Sequence, residues 1–392
     1  MNSPLLSHLA EKMAQRHEQH RIRQLITRDG AQDVLVRVAG ETLINFSSND
    51  YLNLANHPLV KEAAVASVQR EGLGAGASHL ISGHSTTHAA LEVALAEFLD
   101  APQVMVFSSG YLANLALLTT LFEKPDLIVQ DKLNHASLID AARFSNAQHR
   151  RYRHLDVASL QQQLKGNFRI KAVVTDGVFS MDGDCANVAE YLALPELSQQ
   201  PVIVDDAHGI GVMGKRGAGT CEALSHEFRE RLIVMGTLGK ALGAAGAFVA
   251  GSTDLIAALQ QFARPYIYTT ALAPAVAAGA TAAIRCLMRE TGWVAQLHDN
   301  IAYFKRCAAQ ADLSLLPSNS AIQPLLVGGE SECMALAKGL WQNGFWVGAI
   351  RPPTVAAGAC RLRITITREH SRAQIERLVS AIAAQMSNVS VE

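Results

Sequence analysis

The stretch Leu232-Ile233-Val234-Met235-Gly236-Thr237-Leu238-Gly239-Lys240-Ala241-Leu242-Gly243 decides how this chain is read. Its first four residues are apolar and β-prone, and a glycine-rich turn follows at once. That is the pattern of a buried strand ending at the edge of a sheet. Lys240 therefore stands at a strand mouth in apolar surroundings. Most lysines are solvated surface residues, but low dielectric disfavours the ammonium form, and the free amine is the form that attacks a carbonyl carbon.

Similar short apolar runs lie on both sides, at residues 104–107, 127–129, 172–175, 202–204 and 247–250. Each is bounded by Gly, Asp, Ser or Pro, and several intervening segments are long enough for crossover helices. The expectation is an α/β fold with a central, mostly parallel sheet covered on both faces, in which the strand at 247–250 joins in either direction. Helical patterns occupy 58–70, 87–99 and 111–122, and the N-terminal stretch 5–26 reads as a surface helix docking against the body. Beyond Pro274 the pattern turns helical at 275–289 and 301–311. It then gives a strand at 360–367 and a helix at 371–386. These predict an arm with short strands over 1–50, a large domain over 51–275, and a smaller α+β domain over 276–392.

Lys+Arg 34 against Asp+Glu 35 leaves a formal charge of -1, so no global field gathers nucleic acid or an anionic membrane. The six cysteines are scattered without CxxC or metal-ligand spacing, which suits a reducing, cytoplasmic setting and predicts no metal site. No apolar leader opens the sequence. The uncharged runs at 101–122 and 265–284 are interrupted by Ser-Ser-Gly or Pro, which argues against membrane spans.

In open α/β sheets ligands bind beyond the carboxyl ends of the strands, so the polar residues there are the ones to collect. After 104–107 comes Ser108-Ser109-Gly110-Tyr111, a small-residue helix start whose free backbone N–H groups can receive a phosphate. After 202–204 comes Asp205-Asp206-Ala207-His208-Gly209. A carboxylate at that place can bind metal, act as a base, or partner a protonated nitrogen. An amine for a Schiff base, an aspartate for a pyridine nitrogen and a phosphate cradle form the minimum set for pyridoxal phosphate, although other α/β enzymes share each feature singly. Rival motifs fail: Gly72, Gly74 and Gly76 follow no predicted strand, Gly239-Lys240 lacks the rest of a Walker loop, and His84 and His88 lack the Glu of HExxH. No GxSxG elbow is present.

The chain resembles the α-oxoamine synthases, fold-type I pyridoxal-phosphate transferases of aspartate aminotransferase-like fold. The resemblance runs from about Arg21 to His370. It rests on Ser48-Asn49-Asp50-Tyr51-Leu52, on Ser82-Gly83-His84 with His88, and on Asp131-Lys132-Leu133-Asn134-His135-Ala136-Ser137. It rests also on Asp176-Gly177-Val178-Phe179-Ser180-Met181-Asp182-Gly183, on Asp205-Asp206-Ala207-His208-Gly209, and on Thr237 with Gly239-Lys240.

The resemblance implies that pyridoxal 5'-phosphate is held as a Schiff base on Lys240, which also serves as the base at Cα. It implies Asp205 at the pyridine nitrogen, His135 over the ring, and His208 with Ser180 at the phenolic oxygen. The phosphate would meet Ser109, Gly110, Tyr111 and Thr237, with Thr269 or Thr270 supplied by a partner, so that a homodimer shares its active sites. Substrate carboxylates would meet Arg363, assisted by Asn49 and Arg21.

Within the family, Gly83-His84-Ser85-Thr86-Thr87-His88 and Ala349-Ile350-Arg351-Pro352-Pro353-Thr354-Val355 resemble the branch serving biotin biosynthesis. That branch condenses L-alanine with a pimeloyl thioester of coenzyme A or acyl carrier protein, with loss of carbon dioxide. Other members use glycine or serine with a different acyl-CoA. His79 and Ala356-Ala357 depart from the family's usual arginine and Pro-containing step.

Overall fold

The computed structural model of the chain describes residues 3–19 and 21–389. A seven-stranded sheet forms its centre, built from β1 (Gln103–Phe107), β2 (Leu127–Asp131), β3 (Gln148–Tyr152), β4 (Lys171–Asp176), β5 (Val202–Asp205), β6 (Leu232–Thr237) and β7 (Ala247–Gly251). Their spatial order is β1-β7-β6-β5-β4-β2-β3. β7 runs antiparallel to both of its neighbours, and the pairs from β6 across to β3 are parallel. The direction of 247–250, left open by the sequence, is thus antiparallel.

Alternate side chains of each strand go to opposite faces, as the twofold period of a strand requires. Val104 and Val106 join one apolar cluster, with Leu91, Leu95 and Phe98 of the helix Thr86–Leu99 and Ala280 and Ile284 of the helix Pro274–Arg289. Met105 and Phe107 join another, with Ala113 and Leu117 of the helix Gly110–Leu121 and Leu138 of the helix Ala136–Phe144. Both faces are therefore covered, and β5 is buried along its full length. This explains why it reads as an unbroken apolar run.

Two smaller sheets accompany the central one. An antiparallel sheet has the order Ile322–Gly328, Cys360–Thr365, Gly348–Ile350. The other joins Arg28–Asp29, Leu35–Val38 and Glu41–Asn45 to Phe345–Trp346, the last pair in parallel. Strands from the two ends of the sequence thus share a sheet, and residues 46–52 lead from it toward the carboxyl edge of the central sheet.

The structure departs from the sequence reading in several places. The N-terminal helix spans Pro4–Glu18, not 5–26, and none of its residues is buried, so it does not dock against the body of its own chain. The chain just after it makes that approach instead: Arg21 and Ile22 are half-buried, and Ile22 O accepts from Arg351 Nη2 at 3.4 Å. The strand β3 was not anticipated, because Gln-His-Arg-Arg-Tyr lacks an apolar run; it lies at the sheet edge, where polar residues are tolerated. The helix expected at 301–311 begins earlier and spans Trp293–Gln310, and the late strand stops at Thr365.

Candidate active site

The loops that follow β1, β2, β4, β5 and β6 meet at the carboxyl edge of the central sheet. β5 and β4 end side by side, with Asp205 the Cα partner of Asp176. Burial, with Asp205 second, pushes the Asp176 carboxyl well above the usual carboxylate range. Asp176 Oδ2 accepts from the backbone N of His135 at 2.9 Å. That bond fixes the start of the helix Ala136–Phe144, which His135 caps.

Asp205 is buried, and both carboxylate oxygens have partners: Oδ2 accepts from Asn114 Nδ2 at 2.8 Å and Oδ1 from Ala207 N at 3.1 Å. Asn114 also donates to Ser137 Oγ at 2.9 Å, and Ser137 Oγ lies 2.7 Å from His135 Nδ1. A continuous hydrogen-bond path therefore joins the exposed His135 to Asp205. Neither Asn114 nor Ser137 was singled out for a role from sequence; polar residues facing inward between apolar ones on an otherwise buried helix were the available signal.

Lys240 follows β6 by three residues and is half-buried. Burial lowers its ammonium pKa to about 8; Asp205 and Asp176 oppose that shift, and Arg363 adds to it. A free amine is thus accessible near neutral pH, as the sequence setting suggested. The loop's shape depends on Gly243, whose φ is +64°, and where a Cβ would come within 2.2 Å of Ala55 N.

His208 is 8% exposed, and burial holds its imidazole well below the usual range, assisted by Lys240, Arg363 and His135. Its Nδ1 lies 2.6 Å from the hydroxyl of Tyr51. Arg363, on the strand Cys360–Thr365, is also 8% exposed. It donates through Nη2 to Asn49 Oδ1 at 3.1 Å, through Nε to the carbonyl of Ser180 at 2.6 Å, and through Nη1 to Thr365 Oγ1 at 3.2 Å. The segment after the strand Glu41–Asn45, the 177–184 loop and Arg363's own strand thus converge on one guanidinium. Arg361 on the same strand instead pairs with Asp182.

Ser109 caps the helix Gly110–Leu121, its Oγ accepting from Leu112 N at 3.3 Å. Ser108, Ser109 and Gly110 are only half-buried, so this helix start is accessible to an anion. Tyr111 is exposed and donates to Asp140 Oδ2 at 2.8 Å. Thr237 Oγ1 donates to Gly246 O at 3.0 Å and accepts from Gly239 N at 3.2 Å, holding the lysine loop.

Three of the expected residues are not drawn into this network. Thr270 is exposed and bridges Ser78, and Thr269 is half-buried. Arg21 donates to Gln19 Oε1 at 3.2 Å and lines a cavity of about 670 Å3 with Trp341, Trp346, Gly348 and Arg351. Gly348 is the Cα partner of Arg363, so this cavity backs onto the strand Cys360–Thr365 without Arg21 reaching Arg363 by a hydrogen bond among the described residues. His79 is buried, stacked on Tyr266 at 4.8 Å and paired with His84 Nδ1 at 3.0 Å.

The residues present suit pyridoxal phosphate. They offer an amine of lowered basicity, a buried carboxylate one strand away, an open helix N-terminus and a guanidinium with polar neighbours. Among the described residues no group of three or more His, Cys, Asp and Glu side chains is arranged to hold a metal ion.

Comparison with known proteins gives the family and the fold. The family model described as aminotransferase class I and II matches residues 41–382. An 8-amino-7-oxononanoate synthase of Stutzerimonas stutzeri is 48% identical over 376 residues, covering 96% of each chain. Among solved structures, a serine palmitoyltransferase of Sphingomonas wittichii superposes with a TM-score of 0.93 at 30% identity, over 99% of this chain and 100% of the other. The crystal structure of an 8-amino-7-oxononanoate synthase from Francisella tularensis gives 0.76 at 32% identity, over 89% and 99%.

Proposed function

Since the chain belongs to the aminotransferase class I and II family, we propose that it is a pyridoxal 5'-phosphate enzyme that condenses L-alanine with a pimeloyl thioester. The products are 8-amino-7-oxononanoate, carbon dioxide and the free thiol carrier, a step of biotin biosynthesis. The 48% identity to a synthase of that name, over 96% of both chains, carries the reading. The serine palmitoyltransferase has the higher TM-score but only 30% identity. Overall shape is shared across chemistries, whereas substrate choice lies in side chains, so sequence identity is the better guide to substrate.

The bound cofactor supplies an aldehyde for the substrate amine and a ring that takes up the electrons released at Cα. The chain's own residues do the rest. Lys240 holds the cofactor and, as a free amine, removes the proton at Cα of alanine. Asp205 keeps a proton on the pyridine nitrogen, and Asn114 and the Ala207 amide hold its carboxylate in place. Arg363 and Asn49 bind the alanine carboxylate, and a guanidinium does this through two parallel hydrogen bonds that also fix orientation. His135 would cover the face of the bound cofactor and would either polarise the thioester carbonyl or return a proton. His208 and Ser180 orient the phenolic oxygen. Ser109, Gly110, Tyr111 and Thr237 receive the phosphate.

We assign Thr269 and Thr270 to the phosphate site of a second protomer, which makes the enzyme a homodimer with shared sites. Arg21 assists Arg363 and Asn49 at the substrate carboxylates, and the carrier of the acyl group is coenzyme A or acyl carrier protein. The small domain combines residues 276–392 with the strands of 1–50, in agreement with the shared sheet. The enzyme works in the cytoplasm; no described helix is long and apolar enough to cross a membrane.

A turnover panel tests the assignment, with L-alanine, glycine and L-serine each offered pimeloyl, acetyl, succinyl and palmitoyl thioesters. The expected preference is L-alanine with the pimeloyl group. Preference for glycine with a short acyl group, or for serine with palmitoyl, overturns it.

A further inference from the structure

Tyr51 has no exposed surface and sits in the main apolar cluster with Leu52 and Leu54. A phenol buried in this way needs partners for its hydroxyl. Two are present: His208 Nδ1 at 2.6 Å and Asn49 Oδ1 at 3.3 Å. Burial keeps the phenol protonated, raising it above its usual range, and burial likewise keeps the imidazole neutral.

Tyr51 has one proton to give and two acceptors to choose between. Asn49 Oδ1 is the more distant and already accepts from Arg363. The imidazole nitrogen is nearer by 0.7 Å and is the more basic acceptor. A neutral imidazole carries one N–H, so a phenol donating to Nδ1 leaves the ring proton on Nε2. Only in that form does His208 have a donor to offer to an oxygen.

We propose that Tyr51 is a positioning residue that fixes His208 as its Nε2–H tautomer and links that choice to the Arg363–Asn49 pair. The role rests on the reading that His208 donates to the phenolic oxygen of pyridoxal phosphate. Without the Tyr51 hydroxyl, the Nδ1–H form is no longer disfavoured, and the oxygen loses its donor for part of the time.

The test uses Tyr51→Phe, which keeps the ring in its apolar cluster and removes only the hydroxyl. Nitrogen-15 NMR of ring-labelled histidine in the cofactor-free chain gives Nε2–H for His208 in the wild type and a mixture of tautomers in the variant. In the cofactor-loaded protein, the pH midpoint of the visible absorbance moves up by about one unit in the variant, as expected for loss of a donor that favoured the charged oxygen. An Nδ1–H wild type, or a variant with unchanged tautomer and midpoint, overturns the proposal. Should Tyr51→Phe fail to fold, the wild-type tautomer alone decides. A chain that takes up no pyridoxal phosphate defeats the cofactor reading instead, and leaves the NMR measurement to judge Tyr51.

Discussion

Asn114 donates to Asp205 across 2.8 Å from the helix that follows β1, although the two residues are 91 positions apart. Its amide carries two hydrogens, and the second goes to Ser137 Oγ at 2.9 Å. One side chain thereby orients the carboxylate proposed for the pyridine nitrogen and the serine that holds His135.

Asn114→Leu should remove both bonds with little change in volume. Loss of a hydrogen bond to a charged group costs about 1.5–3 kcal/mol. If that loss falls on the transition state, kcat drops about ten- to a hundredfold. Cofactor occupancy, followed by absorbance, should fall less than kcat. Asp205→Asn should show the same order of effects more strongly, and equal losses of occupancy and kcat would make the carboxylate a binding residue only.

Lys240 makes the cofactor-free fold sensitive to pH. Its folded pKa of about 8 lies below the ordinary 10.5, so the unfolded chain binds the proton more tightly and protonation penalises folding. The penalty is complete below pH 8 and vanishes as pH rises through 10.5; at 1.36 kcal/mol per pKa unit its ceiling is about 3 kcal/mol. Lys240→Met should therefore be more stable than wild type in cofactor-free denaturant titrations at pH 7, with the gap closing toward pH 10.5. A constant gap across that range contradicts the lowered pKa.

His154 acts in the opposite sense. Burial, the largest influence, lowers its pKa, but the hydrogen bonds its ring donates to Asp131 at 3.0 Å and Asp184 at 2.8 Å outweigh burial and push it up to about 10. Its ring also meets Phe179 edge-on at 4.5 Å, so it pins the loop that carries Ser180 to the end of β2. With the folded value above the ordinary 6.5, the contribution is full below pH 6.5 and lost as pH rises through 10. After discounting for partial exposure, His154→Leu should destabilise by about 2 kcal/mol at pH 6. The difference from wild type should narrow steadily above pH 7; a pH-independent difference would point to packing alone.

Much of this was legible in the sequence because the central strands are buried on both faces and announce themselves as apolar runs. The residues just after them, Ser109, Asp205, His208 and Lys240, fall where such strands end. The network behind them was not legible. Asn114 and Ser137 bond to Asp205 and His135 through the packing of two helices, which no local pattern encodes. The edge strand β3 was hidden by its polar composition. The N-terminal stretch misled because an amphipathic pattern states that a face wants cover and not which surface covers it.

Lys240 is the proposed point of attachment on which the chemistry depends. The direct measurement is to load the chain with pyridoxal 5'-phosphate, reduce with borohydride, digest, and locate the added pyridoxyl mass by tandem mass spectrometry. A single modified lysine at position 240 is the predicted result. A pyridoxyl group on another lysine, or none on Lys240 in protein that has taken up the cofactor, contradicts it.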